Sequence, residues 1–300
     1  MNTLIINQFN LLLTDNTKNK YELNSYKKVI DIISKLEFKI TKSNINKLKD
    51  IKYIGTHTIK RIEEILENGK LAECDNDAFE ISKLTSIHGI GIVKSQKLYQ
   101  KKITFNNIDT YLDELTHEQQ IGVKYKNDIL EKIPRKEITQ FKTKFKTVLK
   151  KYNKDLEFEI CGSYRRGNKT SGDIDVLITN NNKKNNIQLQ NLIEYLTESN
   201  ILIDHLTLHG NKKYMGLTKI DKIARRIDIR LVPREYYYYA LLYFTGSDKT
   251  NKYMREIAKT KGWKLNEYEL IDDKNKNFIV KSEEEIFIIL DIDYIEPKNR

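Results

Sequence analysis

The spacing of apolar positions changes character partway along the chain. In the front part it is helical: Tyr26, Val29, Ile30 and Ile33 share one face of residues 21–36, and residues 59–66 repeat the pattern. Short helices are therefore expected over residues 1–71. The polar stretch 73–77 reads as a linker, and further helical segments follow over 79–132. From Phe158 onward the texture becomes β-branched, which predicts strands over 159–161, 174–179, 206–208 and 226–232. Residues 188–198 read as a crossover helix and 180–186 as a polar loop of low complexity. A helix over 236–244 is ended by Thr245-Gly246-Ser247, and a small α+β tail closes the chain. The expected architecture is an all-helical front and an α+β back.

No apolar run approaches the roughly 20 residues of a membrane span, and residues 1–13 lack the basic region and cleavage site of a signal peptide. The expectation is an intracellular protein that meets no membrane. Cys74 and Cys161 are too few for a disulfide framework or a four-ligand zinc site, and the five histidines show no ligand spacing. Cys161 reads as a buried core thiol. A net charge of +11 and a pI near 9.2 favour a polyanionic partner. Heavy use of Lys, Asn and Ile would equally follow from an AT-rich genome, microbial or viral, so charge alone does not decide.

Chemistry concentrates in residues 161–175, Cys-Gly-Ser-Tyr-Arg-Arg-Gly-Asn-Lys-Thr-Ser-Gly-Asp-Ile-Asp. Asp173 and Asp175 are two residues apart at the start of a predicted strand, so they project from one face about 7 Å apart. Like charges held that close repel unless a cation lies between them, and hard oxygen ligands suit magnesium. A third acid, Asp228, lies in Arg225-Arg226-Ile227-Asp228-Ile229-Arg230, on the strand face of Arg226 and Arg230. By itself that segment also reads as a solvated ion-pair face. Upstream, residues 84–92 (Leu-Thr-Ser-Ile-His-Gly-Ile-Gly-Ile) precede a helical run, as in a helix-hairpin-helix whose backbone N–H groups grip a DNA phosphate. An earlier copy, residues 51–56, has Tyr53 where the first glycine would stand. Either copy alone would also pass as a plain helix–helix turn.

Taken in order, these segments resemble the family X DNA polymerases, those of the polymerase beta type in particular. The carriers are Gly162-Ser163-Tyr164-Arg165-Arg166-Gly167, Gly172-Asp173-Ile174-Asp175, Arg226-Ile227-Asp228 and Leu242-Tyr243-Phe244-Thr245-Gly246-Ser247. Weaker support comes from Gln120-Ile121-Gly122, Ile133-Pro134-Arg135 and Asn266-Glu267-Tyr268. The resemblance implies an α+β chain in four parts. These are a helical lyase-like DNA-binding domain with the first hairpin (1–75), a helix-hairpin-helix subdomain (76–134), a nucleotidyltransferase-type catalytic palm (135–234) and a nucleotide-selection subdomain (235–300).

It further implies that Asp173, Asp175 and Asp228 hold two magnesium ions for transfer of a deoxynucleotide to a primer 3′-OH. Gly162, Ser163, Arg166 and Gly172 would serve the nucleotide's phosphates, as would Lys132, which keeps the charge but not the fork of the family's arginine. Tyr243, Phe244 and Gly246 would pack against the sugar, and Asp248 and Asn251 would lie by the incoming base. DNA contacts would come from Gly55, Thr85, Ile87, Gly89, Ile90, Gly91, Tyr26, Arg226 and Arg255, with room for a monovalent cation at the hairpins. Arg230 and Glu267, together with Arg255, would rearrange on closure. The implied partners are gapped or primed DNA and deoxynucleoside triphosphates, handled by a monomer, in nucleus or cytoplasm according to host.

Two departures shape the expected activity. Relatives that add nucleotides without a template replace the Tyr-Phe pair and carry a longer loop before the third acid; here the pair is present and the connection 218–224 is short. Template-directed filling of short gaps in base excision repair is the expected role, without proofreading. The family's lyase uses a lysine Schiff base, whereas Arg61 occupies that position here, so lyase activity is expected to be weak or absent. The protein-interaction domain that some relatives carry before the front domain is not expected here. Competing readings are a nucleotidyltransferase acting on RNA or a small molecule, and a DNA-end-binding protein with an inactive palm.

Overall fold

A computed structural model of the chain describes residues 2–13, 19–72, 76–182, 187–207 and 213–300. Cys74, most of the expected linker, part of the loop at 180–186 and Leu208 fall outside them. The chain divides into two compact units, Met1–Glu114 and Leu115–Arg300.

In the first unit, α1 (Thr3–Leu12), α2 (Lys20–Lys35) and α3 (Thr56–Asn68) enclose one apolar core. Asn19 starts α2 with a capping box: its side chain accepts from the Tyr21 and Glu22 amides, and Glu22 reaches back to the Asn19 amide. Gly69, left-handed at φ 75°, ends α3 by donating to Ile65 O at 2.9 Å. Ile33, Leu48, Ile62, Ile65 and Leu71 are at most 1% exposed, so cutting any one to alanine should cost about 2–5 kcal/mol. The second hairpin is formed by α4 (Asn76–Thr85) and α5 (Ile92–Gln100).

The second unit is built on a five-stranded sheet. Its elements run α6 (His117–Lys124), α7 (Lys126–Leu130), β1 (Ile133–Pro134), α8 (Arg135–Tyr152), β2 (Leu156–Ile160), α9 (Gly162–Arg165), β3 (Thr170–Ser171), β4 (Ile174–Asn180), α10 (Leu189–Glu198), β5 (Leu202–His205), β6 (Lys213–Ile220) and β7 (Ile223–Pro233). Then follow α11 (Tyr237–Thr245), α12 (Asp248–Thr260), β8 (Lys264–Leu265), β9 (Leu270–Ile271) and α13 (Glu283–Leu290). Strand order is β2-β4-β7-β6-β5, with only the β4–β7 pair parallel.

The two-residue period of the strands divides their side chains. Ile174, Val176, Ile178, Ile227 and Ile229 pack against α8 and α10 through Phe141, Phe145, Leu192 and Leu196. The alternate positions, Asp175 and Asp228 among them, face the other way, and beyond them Leu177 and Val232 pack with Tyr237, Ala240 and Leu241 of α11. The sheet is thus covered on one face and carries its acids on the other.

Several expectations are revised. A strand lies at Leu202–His205, and the described part of the expected one, Leu206 and Thr207, lies outside it: both amides donate to Met215 O, which breaks the ladder. Strand β6 and helix α8 add to the expected elements. The short connection before the third acid is a two-residue hairpin turn, Asp221-Lys222, with φ 47° and 72°, joining partners Ile220 and Ile223. Residues 115–130, expected with the second hairpin, group with the second compact unit; Asp128 accepts from the Ala224 amide at 2.9 Å, and Lys124 pairs with Asp204 at 2.8 Å.

Candidate active site

Parallel pairing of β4 with β7 sets Asp175 directly opposite Asp228. Asp173 stands in the bend just before β4. Arg226 lies between the outer two acids, with Nη2 at 2.6 Å from Asp173 Oδ2 and 3.7 Å from Asp228 Oδ1. Lys213, on neighbouring β6, brings its ammonium to 3.4 Å from Asp228 Oδ2. Burial drives the Asp175 carboxyl up to about 7, with repulsion from Asp173 and Asp228 adding to it and Arg226 and Arg166 opposing. Burial raises Asp173 as well, although Arg226 pulls it back.

Among the described residues, no three acidic, histidine or cysteine side chains are drawn into a metal cage. Arg226 and Lys213 are the counter-charges in the arrangement present. The donors present are nevertheless of the kind a hard cation takes: carboxylate oxygens gathered around Arg226, with Asp228 Oδ1 buried without a hydrogen-bond partner.

Gly162 explains how Asp175 fits. It opens α9 at φ 55°, and a Cβ there would lie 2.0 Å from Asp175 Oδ2. Any side chain would meet both a strained backbone and the carboxylate. Tyr164 and Arg135 brace this turn: Arg135 Nη1 donates to Tyr164 O at 2.6 Å, and its guanidinium lies 4.2 Å from the Tyr164 ring.

An open cleft of about 470 Å³ extends from Asp173 and Asp175 past Gly162, Ser163 and Arg166. Tyr243, Phe244, Gly246, Asp248 and Asn251 line its other side. The expected phosphate positions Gly162, Ser163 and Arg166 therefore share one cleft with the expected sugar and base positions, whereas Gly172 and Lys132 do not line it. Arg166 Nη1 donates to Thr245 O at 2.6 Å, and Asn251 donates its amide to Tyr243 O at 2.8 Å. Tyr243 and Phe244 meet edge to face, their ring centres 5.1 Å apart. Arg255 covers Tyr243 at 5.1 Å and Arg230 covers Phe244 at 4.3 Å, while Arg230 and Glu267 form a long ion pair of 3.9 Å. Gly172 lies outside the cleft lining with the Lys132 ammonium beside it, 3.5 Å from where a Cβ would be.

Sequence reading missed three participants. Lys213 lies on the unforeseen strand β6. Arg225 and Arg226, adjacent in sequence, point to opposite faces: Arg225 is 2% exposed and bound to Glu137 of α8 at 3.0 Å, so only Arg226 serves the acids. Arg165 binds Thr245 Oγ1 at 2.7 Å and also Glu283, whose carboxylate is shared with Arg300. That buried Arg-Glu-Arg cluster ties α9 to α13 beside the cleft. Helical spacing of Ile138, Phe141, Phe145 and Leu149 was the available signal for α8, the source of Glu137.

In the first unit the hairpin residues offer backbone rather than side chains. Gly55 and Gly91 cap α3 and α5 without side-chain hydrogen bonds, and Gly89 turns at φ 82°. Ile87 and Ile90 are buried, and the Thr85 hydroxyl lies within hydrogen-bonding distance of Ile81 O and Ser95 Oγ. Tyr26 is 5% exposed, packing edge-on to Phe9, with Arg61 over its ring at 5.4 Å.

Four family models match the chain in succession, one of them running across the boundary between the two compact units. Residues 1–71 match a helix-hairpin-helix domain, 82–130 the fingers domain of DNA polymerase lambda, 132–234 the DNA polymerase beta palm and 240–300 the DNA polymerase beta thumb. Over 305 positions the chain is 29% identical to DNA polymerase lambda of Arabidopsis thaliana, covering 92% of this chain and 57% of that protein. It is 32% identical over 269 positions to DNA polymerase lambda of Rattus norvegicus, covering 82% and 47%. With DNA nucleotidylexotransferase of Xenopus laevis it shares 27% over 332 positions, covering 94% and 64%. The chain thus spans between about half and two thirds of the length of these relatives. No described helix is long and apolar enough to cross a membrane. Matched along nearly its whole length by these models in their order, and carrying the paired acids and the cleft just described, the chain belongs to the family X DNA polymerases.

Proposed function

We propose that the chain is a template-directed DNA polymerase that fills short gaps, as in base excision repair, by magnesium-dependent transfer of a deoxynucleotide to a primer 3′-OH. The observation that carries this reading is the pairing of Asp175 with Asp228, together with one cleft that runs from Asp173 and Asp175 past Ser163 and Arg166 to the Tyr243-Phe244 pair.

Asp173, Asp175 and Asp228 would hold the metal. When bound, it would neutralise charge on the triphosphate and make the primer hydroxyl more acidic. The protein's own contribution is positioning and proton handling. Ser163 and Arg166 line the cleft as a hydroxyl and a guanidinium suited to phosphate oxygens. The carbonyl of Thr245 holds Arg166 in place, so the phosphate subsite and the sugar-side turn move as one piece. Asp228, with Oδ1 lacking a hydrogen-bond partner, is the base offered to the primer hydroxyl's proton. Arg226 must release Asp173 as the site is loaded, and it is then free to contact DNA phosphate.

Template dependence is supported by the two-residue turn Asp221-Lys222 and by the Tyr243-Phe244 pair against the cleft. Lyase chemistry is a different matter. Arg61 stays protonated and cannot supply a free amine, and its guanidinium packs on the buried Tyr26. Lys60 is the residue before it in α3 and points about 100° away. The test is extension on a one-nucleotide gap, with and without a 5′-phosphate, using each of the four deoxynucleotides. Single addition of the complementary nucleotide is expected.

A further inference from the structure

The two hairpins share one backbone and differ at one telling residue. Each passes through a left-handed position two residues before the glycine that caps the next helix: Gly89 at φ 82° before Gly91, and Tyr53 at φ 74° before Gly55. Glycine takes that conformation without strain, whereas a bulky L side chain does so only when something holds it there. Packing is not what retains Tyr53, because it is 56% exposed. The ammonium groups of Lys28 and Lys52 lie 4.8 and 5.2 Å from its ring centre.

An exposed aromatic face bracketed by two cations matches the chemistry of a single-stranded nucleotide, which offers a base to stack and phosphates on either side. Lysines over an exposed ring are weakly held, and a stacked base is held more strongly. A base would therefore displace an ammonium from the ring towards a phosphate. Continuous duplex presents no free base face along its length, so such a residue discriminates for gaps.

We propose that Tyr53 is a stacking platform for an unpaired nucleotide of gapped DNA, with Lys28 and Lys52 taking the flanking phosphates. The proposal rests on the polymerase reading only in needing gapped DNA as the partner. Because stacking is indifferent to base identity, the platform reads the presence of a gap and not its sequence.

Full-length Tyr53→Gly and Tyr53→Trp proteins test it, with gapped DNA carrying 2-aminopurine at the unpaired position and no divalent metal present. Tyr53→Gly relieves the left-handed backbone while freeing the unfolded chain, so its melting temperature should stay within a few degrees of the parent's. Its affinity for gapped DNA should nevertheless fall about tenfold or more, with loss of 2-aminopurine quenching and little change on continuous duplex. Tyr53→Trp should retain both affinity and quenching. A Tyr53→Gly protein that binds and quenches like the parent overturns the proposal; if the parent still fills a one-nucleotide gap with metal restored, the polymerase reading stands without it. A parent protein that neither binds nor fills gaps overturns both.

Discussion

Replacing Asp175 by asparagine isolates the electrostatic strain of the acid cluster. The carboxyl sits near 7 in the folded protein, against 3.8 for the ordinary group, first because it is buried and then because Asp173 and Asp228 repel its charge. At 1.36 kcal/mol per pH unit, that rise amounts to roughly 4 kcal/mol once the group is ionised. A carboxyl raised on folding holds its proton more tightly in the native state. The associated stability is therefore fully present below about pH 4 and is lost as pH climbs through about 7. Asp175→Asn removes the ionisation. In metal-free buffer the variant should match the parent near pH 4 and exceed it by up to roughly 4 kcal/mol at pH 8. Urea unfolding followed by Trp263, the chain's single tryptophan, reads this within the unit that contains the site. Magnesium should narrow the difference at pH 8, because only the parent gains a full ligand set. A stability difference that does not change between pH 4 and pH 8 would refute the reasoning.

Other consequences follow from single contacts. Gly162→Ala forces a Cβ into Asp175 at a φ of 55°, so gap filling should drop about 10- to 100-fold and stability by about 1–3 kcal/mol; unchanged single-turnover rates would contradict the fit of the carboxylate against this glycine. Glu283→Ala strands Arg165 and Arg300 without their shared carboxylate, at a cost of about 3–5 kcal/mol by urea titration. A loss under about 1 kcal/mol would mean that the cluster is not a structural tie. Borohydride trapping on an incised abasic site should yield little covalent complex, and efficient capture abolished by Lys60→Ala would show that lyase chemistry has moved one residue along α3.

The acids and the hairpins were legible because their signals are local. Asp173 and Asp175 announce themselves by spacing, and the alternation around Asp228 puts it on a strand face with Arg226. Parallel pairing of β4 with β7 then makes the three neighbours, which no local pattern states. Lys213 was invisible because Lys213–Ile220 alternates poorly around Gly216, where a Cβ would meet the Tyr214 hydroxyl at 2.0 Å. The opposite fates of Arg225 and Arg226 depend on Glu137, 88 residues away in sequence. Glu283 and Arg300 looked like ordinary charged residues, yet they brace the turn that carries Arg165. Tyr26, read as a DNA contact, also belongs to the core of the first unit, where Phe9 of α1 packs edge-on to it, and no local pattern in the sequence states that.

The most direct test of the account is single-nucleotide extension on four gapped substrates that differ only in the template base, each offered every deoxynucleotide with magnesium. Parent and Asp228→Ala proteins should be compared at saturating DNA. The account predicts that the parent adds only the complementary nucleotide on each template, and that Asp228→Ala binds the DNA yet loses at least about 10²-fold in rate. Addition that ignores the template base, or a rate untouched by Asp228→Ala, would contradict it.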